Sequence, residues 1–113
     1  MDDMTIKEFA KLCGCNPQTL RYYDRVGLLK PVRVDRYSGY RFYDEEQAVT
    51  FVKIKNLQNA LFTIDEIKPL LDADSATVYK AFDEKIASLE SKLETVRAIQ
   101  RSYQGEIDMV KKQ

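Results

Sequence analysis

Residues 14–31 read Gly14-Cys15-Asn16-Pro17-Gln18-Thr19-Leu20-Arg21-Tyr22-Tyr23-Asp24-Arg25-Val26-Gly27-Leu28-Leu29-Lys30-Pro31, and the placement of the breakers in this stretch decides the fold. Asn16 is a capping residue, and Pro17 stands at the first helical position, where a missing amide hydrogen costs nothing. No further breaker occurs before Gly27, so a helix is expected from Pro17 to about Val26, stopped by that glycine. Upstream, Thr5-Ile6-Lys7-Glu8 has the form of a capping box, in which each side chain satisfies the other residue's amide. The helix it opens carries Ile6, Phe9, Ala10 and Cys13 at helical spacing and ends at Gly14. Two short helices joined by a glycine-containing turn of about three residues predict a helix-turn-helix.

Downstream of this pair, Pro31 excludes a helix and the pattern turns extended. Val32 and Val34 precede Ser38-Gly39, and Tyr40, Phe42 and Tyr43 follow it, which predicts a small β-hairpin. Asp44-Glu45-Glu46-Gln47 is a second capping box, opening a helix whose expected apolar face is Ala48, Phe51, Val52, Ile54 and Leu57. Thr63-Ile64-Asp65-Glu66 is a third, ahead of Ile67, Leu70 and Leu71. From about Ser75 to Lys112 there is no proline, and a seam recurs with alternating gaps of three and four: Tyr79, Phe82, Ile86, Leu89, Leu93, Val96, the polar Gln100, Tyr103, Ile107 and Val110. Such a helix reaches roughly 50 to 60 Å, beyond the radius of so small a domain, so its stripe needs a partner helix. The expected fold class is mainly α: a winged helix-turn-helix with a small β-hairpin wing over 1–73, then a long coiled-coil dimerisation helix over 74–113.

At 113 residues the chain has room for one domain and an appendage. With 44% hydrophobic and 32% charged residues it is too apolar for a disordered chain and too charged for a membrane protein. No run approaches the roughly 20 apolar residues of a spanning helix, and Met1-Asp2-Asp3-Met4 lacks the basic start of a secretion signal. No membrane association and a cytoplasmic location are expected. There is no histidine, which removes the commonest general base and metal ligand. Cys13 and Cys15, the only thiols, cannot alone complete a site of three or four ligands, so no metal, no cofactor and no catalytic residue are expected. A net charge of zero hides an asymmetry. Between Lys11 and Tyr43 seven bases stand against two acids, a local +5, whereas from Thr63 to Gln113 eight bases stand against ten acids, a local −2. The front of the chain therefore carries an anion-attracting field.

A helix-turn-helix, a hairpin and a local positive field are the ingredients for setting one helix in a DNA major groove while a wing touches phosphates. Gln18, Arg21, Tyr22 and Arg25 share the outer face of the second helix, and arginine is the residue best suited to read guanine. The same features suit a solvated charged face, or a coiled-coil adaptor whose basic head binds an acidic protein partner. Steep salt dependence and competition by duplex DNA separate these readings.

The run Thr19-Leu20-Arg21-Tyr22-Tyr23-Asp24-Arg25-Val26-Gly27-Leu28-Leu29-Lys30-Pro31, followed by Gly39-Tyr40-Arg41-Phe42-Tyr43, closely resembles the MerR family of bacterial transcription regulators, and the resemblance extends over essentially the whole chain. It implies a winged helix-turn-helix that binds double-stranded DNA, a homodimer through an antiparallel coiled coil, and activation by bending and undertwisting a promoter spacer so that RNA polymerase can use both promoter elements. It implies recognition-helix contacts at Gln18, Thr19, Arg21 and Tyr22, beside which Arg25 stands on the outer face, and wing contacts at Arg36, Tyr40 and Arg41. Tyr23, Leu28, Leu29, Pro31 and Tyr43 match the motif too and read as packing. Family members that sense metals carry cysteines at the start of the dimerisation helix and beyond it, and here none follows Cys15. Two alternatives stay open: a sensor outside this stretch, or a short regulator with a minimal one.

Within the seam, Phe82, Ile86, Leu89, Leu93, Val96 and Tyr103 are the expected dimerisation residues. With Tyr79, Ile86, Leu93, Gln100 and Ile107 at a positions, a parallel pair sets Lys92 against Arg97. An antiparallel pair in full overlap sets Lys85 against Glu106 and Glu90 against Arg97, with no like-charged partner. Each such pair contributes well under about 1 kcal/mol, so the charges favour the antiparallel arrangement by a small margin.

Overall fold

The computed structural model describes residues 3–112, and the chain divides into two compact units, one ending at Ala73 and the other beginning at Asp74. The first contains β1 (Met4–Thr5), α1 (Ile6–Cys13), α2 (Pro17–Val26), β2 (Arg33–Val34), β3 (Arg41–Tyr43), α3 (Gln47–Asn59) and α4 (Ile64–Leu70). Its helices start where their capping residues stand. Thr5 Oγ1 accepts from the Glu8 amide at 3.2 Å while Glu8 Oε1 accepts from the Thr5 amide at 2.8 Å, and Thr63 and Glu66 repeat the pair at the same distances. Asn16 Oδ1 accepts from the Gln18 amide at 2.8 Å, with Pro17 beginning α2. The Asp44–Gln47 box also forms, each side chain accepting from the other's amide at 3.1 Å, but residues 45–46 make a turn and the regular helix begins only at Gln47.

Three helices also end alike. The closing residue adopts the left-handed conformation at Gly14 (φ 71°), Gly27 (φ 83°) and Leu61 (φ 70°). The next amide then reaches back five residues: Cys15 to the Ala10 carbonyl at 2.9 Å, Leu28 to Tyr23 at 2.8 Å and Phe62 to Leu57 at 3.1 Å. Glycine takes this conformation freely, whereas at Leu61 it costs about 1 to 2 kcal/mol.

The expected hairpin is part of a larger sheet, three antiparallel strands in the order β1-β3-β2. Arg33 pairs with Phe42 and Val34 with Arg41 on one side of β3, and Met4 with Tyr43 and Thr5 with Phe42 on the other. The added strand corrects the sequence reading: two residues are too few to display the period of two by which a strand is recognised. At the wing tip the Asp35 carboxylate accepts from the Ser38 hydroxyl at 2.6 Å and from the amides of Tyr37 and Ser38 at 3.4 Å each. These bonds, the Ser38 hydroxyl foremost, hold its carboxyl below the usual carboxylate range.

The core of this unit runs from Phe9 and Ala10 through Leu20, Tyr23, Leu28, Leu29 and Tyr43 to Phe51, Ile54, Leu57, Phe62, Ile67 and Leu70. The Phe9 and Tyr43 rings stack with centroids 4.8 Å apart, and the Tyr23 hydroxyl donates to Gln58 Oε1 at 2.6 Å, tying α2 to α3. Val52, expected on the buried face of α3, is exposed, because one residue on from Phe51 the helix turns it away from the line of Phe51, Ile54 and Leu57.

The second unit is α5 (Ser75–Lys112), 38 residues and so about 57 Å of helix. The Asp74 carboxylate accepts from the Thr77 amide at 2.8 Å at its start. No residue of α5 is buried: Ile86, Leu93, Val96, Tyr103 and Ile107 are exposed, Leu93 at 47%, and Phe82 and Leu89 are half-buried.

Candidate nucleic-acid interface

On α2, Leu20 and Tyr23 face the core, so the positions between them turn outward. Gln18, Arg21, Tyr22 and Arg25 share one face, all exposed. A groove of about 560 Å³ lies among the starts of α1 and α2 and the wing, lined by Thr5, Ile6, Lys7, Asn16, Pro17, Gln18, Arg21, Gly39, Tyr40 and Arg41. The first turn of α2 carries no acid, so no side-chain charge there offsets the positive end of its dipole. Lys7, Arg21 and Arg41 add full charges. An anion meeting this groove finds three cations and two helix starts on one side of the molecule.

Of the residues singled out in the sequence, the groove gathers Gln18, Arg21, Tyr40 and Arg41 and leaves the others outside. Arg36 stands at the wing tip with its guanidinium 5.6 Å from the Tyr37 ring, and Arg25 lies 5.2 Å from the ring of Tyr22. Thr19 is half-buried on the other flank of α2, in a second groove of about 440 Å³ that it shares with Cys13, Cys15, Phe51, Val52 and Lys55. Lys7 is missing from the sequence-based set. Its signal was its place in the first turn after the Thr5 cap, close to the free amides of α1. Arg41 is held: its Nε donates to Asp24 Oδ2 at 2.9 Å, and Lys30 Nζ donates to Asp24 Oδ1 at 3.4 Å.

Tyr23, Leu28, Leu29 and Tyr43, read as packing, are buried, and Pro31 is half-buried. The Tyr43 hydroxyl has no hydrogen-bond partner among the described residues, and burial raises its pKa. Burial pushes the Cys13 thiol up to about 11, with Cys15 beside it adding to the shift, and raises Cys15 as well. Among the described residues no group of three or more potential ligands is placed to hold a metal ion, and no helix is long and apolar enough to cross a membrane.

Residues 4–74 match the family model described as MerR HTH family regulatory protein. Over 103 residues the chain is 37% identical to the mercuric resistance operon regulatory protein of Bacillus cereus, covering 85% of this chain and 76% of that one. Among solved structures, the transcription regulator PbrR691 from Ralstonia metallidurans CH34 in complex with lead(II) is similar with a TM-score of 0.74 and 31% identity, over 88% of this chain and 81% of that one. EcmrR, solved in an EcmrR–DNA complex, is similar with a TM-score of 0.69 and 29% identity over 89% of this chain, which spans only 38% of that regulator. The match running from β1 to the turn before α5, and a curated relative matched along most of its own length, establish that the chain belongs to the MerR family of helix-turn-helix regulatory proteins.

Proposed function

We propose that this chain regulates transcription by binding double-stranded DNA as a homodimer, on a promoter operator with two-fold related half-sites, and by distorting the spacer between them. The observation that carries the reading is the basic groove, where two helix starts and the wing converge with Gln18, Arg21, Tyr40 and Arg41. In this reading α2 enters the major groove with Gln18 and Arg21 against base edges, and Thr19, Tyr22 and Arg25 flank them. Arg36, Tyr40 and Arg41 of the wing contact phosphates. The similar regulator solved with DNA supports the DNA-binding reading.

The uncovered seam of α5 supports the dimer. Phe82, Ile86, Leu89, Leu93, Val96 and Tyr103 find their cover in the antiparallel helix of a second copy, which also matches the charges flanking the seam. Such a rod fixes the distance between two recognition helices, so half-sites at another spacing must deform to engage both. Bending a site of this size costs on the order of 1 to 6 kcal/mol, within reach of two sets of phosphate and base contacts. The partner that reads the altered promoter is RNA polymerase, the location is the cytoplasm, and the chain has no catalytic role.

The test is a fluorescence titration of wild type and two variants with operator and mixed-sequence duplexes over a salt series. Arg21→Ala will weaken operator binding by roughly 1 to 3 kcal/mol and relax sequence preference, whereas Arg36→Ala will weaken all sequences alike and flatten the salt slope. Binding indifferent to salt, or displaced by an acidic polypeptide and not by duplex DNA, would refute the reading.

A further inference from the structure

We propose that Asp24 is a positioning residue that presets Arg41 for a DNA phosphate, an inference that rests on the DNA-binding reading above. Asp24 lies on α2 three residues beyond Arg21, inside the anion-attracting stretch. An acid there repels the phosphates that the rest of the surface attracts, so long-range electrostatics alone speak against its presence. Its local geometry supplies the compensation. The two carboxylate oxygens are divided between different elements: Oδ2 accepts from Nε of Arg41 on β3 at 2.9 Å, and Oδ1 from Nζ of Lys30 at 3.4 Å. Lys30 Nζ also donates to the Asp24 carbonyl at 3.3 Å. The Asp24 side chain is 20% exposed and that of Arg41 37%, so the bond is partly shielded from competing water.

The bond to Arg41 uses the Nε edge of a planar fork. The two terminal nitrogens make no hydrogen bond or ion pair with the described residues, and Arg41 lines the groove beside Arg21 and Tyr40. A guanidinium gripped by one edge is already ordered while its other donors remain available, so less side-chain freedom is lost when a phosphate arrives. The same bond joins the wing to the recognition helix across 17 residues of sequence.

The experiment compares the full chain with Asp24→Asn, Arg41→Ala and the double variant. Each is titrated with a labelled mixed-sequence duplex, and the Arg41 Nε–H resonance is followed by NMR without DNA. The wild-type resonance will be protected from solvent exchange, and Asp24→Asn will lose that protection. Asp24→Asn will bind the duplex roughly three- to tenfold more weakly although it has shed a negative charge. In the Arg41→Ala background the same change will no longer weaken binding, and with only repulsion removed it will strengthen it. Asp24→Asn binding as tightly as wild type or tighter, an equal loss in both backgrounds, or an unprotected Arg41 resonance would each overturn the proposal. A wild-type chain without affinity for duplex DNA would overturn the DNA reading together with it. A wild-type chain that binds, beside an Asp24→Asn variant that binds equally well, would overturn the positioning role alone.

Discussion

The residues up to Ala73 and those from Asp74 onward are both amphipathic, yet only the first group covers its own apolar side. Every residue of the buried core, from Phe9 to Leu70, belongs to the first unit, while α5 carries a longer and more regular seam and buries none of it. The sequence rule behind the two patterns is the same, apolar residues recurring at helical spacing. What differs is the source of the complement. Four short helices and three strands of the first unit turn back on one another through left-handed ends and capped starts, so each stripe meets another from the same chain. A single rod of 38 residues cannot turn back, and its cover has to come from elsewhere. Periodicity therefore identifies which face is apolar, and connectivity identifies who can cover it.

The sharpest way to break this comparison is Leu93→Asp, a charge in the middle of the uncovered seam. It will raise the dimer dissociation constant by at least about a thousandfold, some 4 kcal/mol, read by sedimentation equilibrium. An unchanged dimer would remove the seam from the subunit contact. Next comes a matched pair of truncations. Ile54→Ala, at a fully buried position, will cost about 2 to 5 kcal/mol at any protein concentration, whereas the loss from Ile86→Ala will shrink on dilution. Urea unfolding at two concentrations separates a stripe covered within the chain from one covered by a second copy.

Smaller effects sharpen the picture inside the first unit. Tyr23→Phe removes the bond to Gln58 and will cost about 0.5 to 1.5 kcal/mol, while Tyr43→Phe removes a buried hydroxyl without a partner among the described residues and will leave stability within about 0.5 kcal/mol or raise it. Thermal melts of the two variants side by side decide the matter. The smallest expected change is a gain. Leu61→Gly relieves a left-handed leucine that is 62% exposed, so little apolar burial is lost and stability will rise by about 0.5 kcal/mol in the same assay.

Much of the fold was legible because its signals are local. A capping box spans four residues and a glycine stop one, so the starts at Thr5, Asn16 and Thr63 and the ends at Gly14 and Gly27 can be read without knowing what packs where. Leu61 closes a helix in the same geometry and escaped notice because it is not the residue that prefers it. Strand β1 escaped because it is two residues long and its partner, β3, lies far along the chain. Val52 was misplaced because an apolar residue next to a buried one satisfies a loose count of periodicity while facing outward.

The candidate site divides along the same line. The outward row Gln18, Arg21, Tyr22 and Arg25 follows from one helix and its period, but which of those side chains share a groove with Arg41 depends on where the wing lies. The bond from Arg41 to Asp24 spans 17 residues and that from Tyr23 to Gln58 spans 35. No pattern in a window of helical length reports either. Lys7 shows the intermediate case, since its place in the first turn of α1 was readable and its meeting with Arg21 was not.

The short strand β1 has a mechanical consequence. Thr5 is at once the last residue of that strand and the cap of α1, so no slack separates the hydrogen bonds to β3 from the first turn of the helix. With β3 in the centre of the sheet, a push on the wing travels through β1 into α1 without a hinge in which to dissipate. Two of the three walls of the basic groove, the start of α1 and the wing, are therefore joined through one hydrogen-bonded frame, like the arms of one bracket.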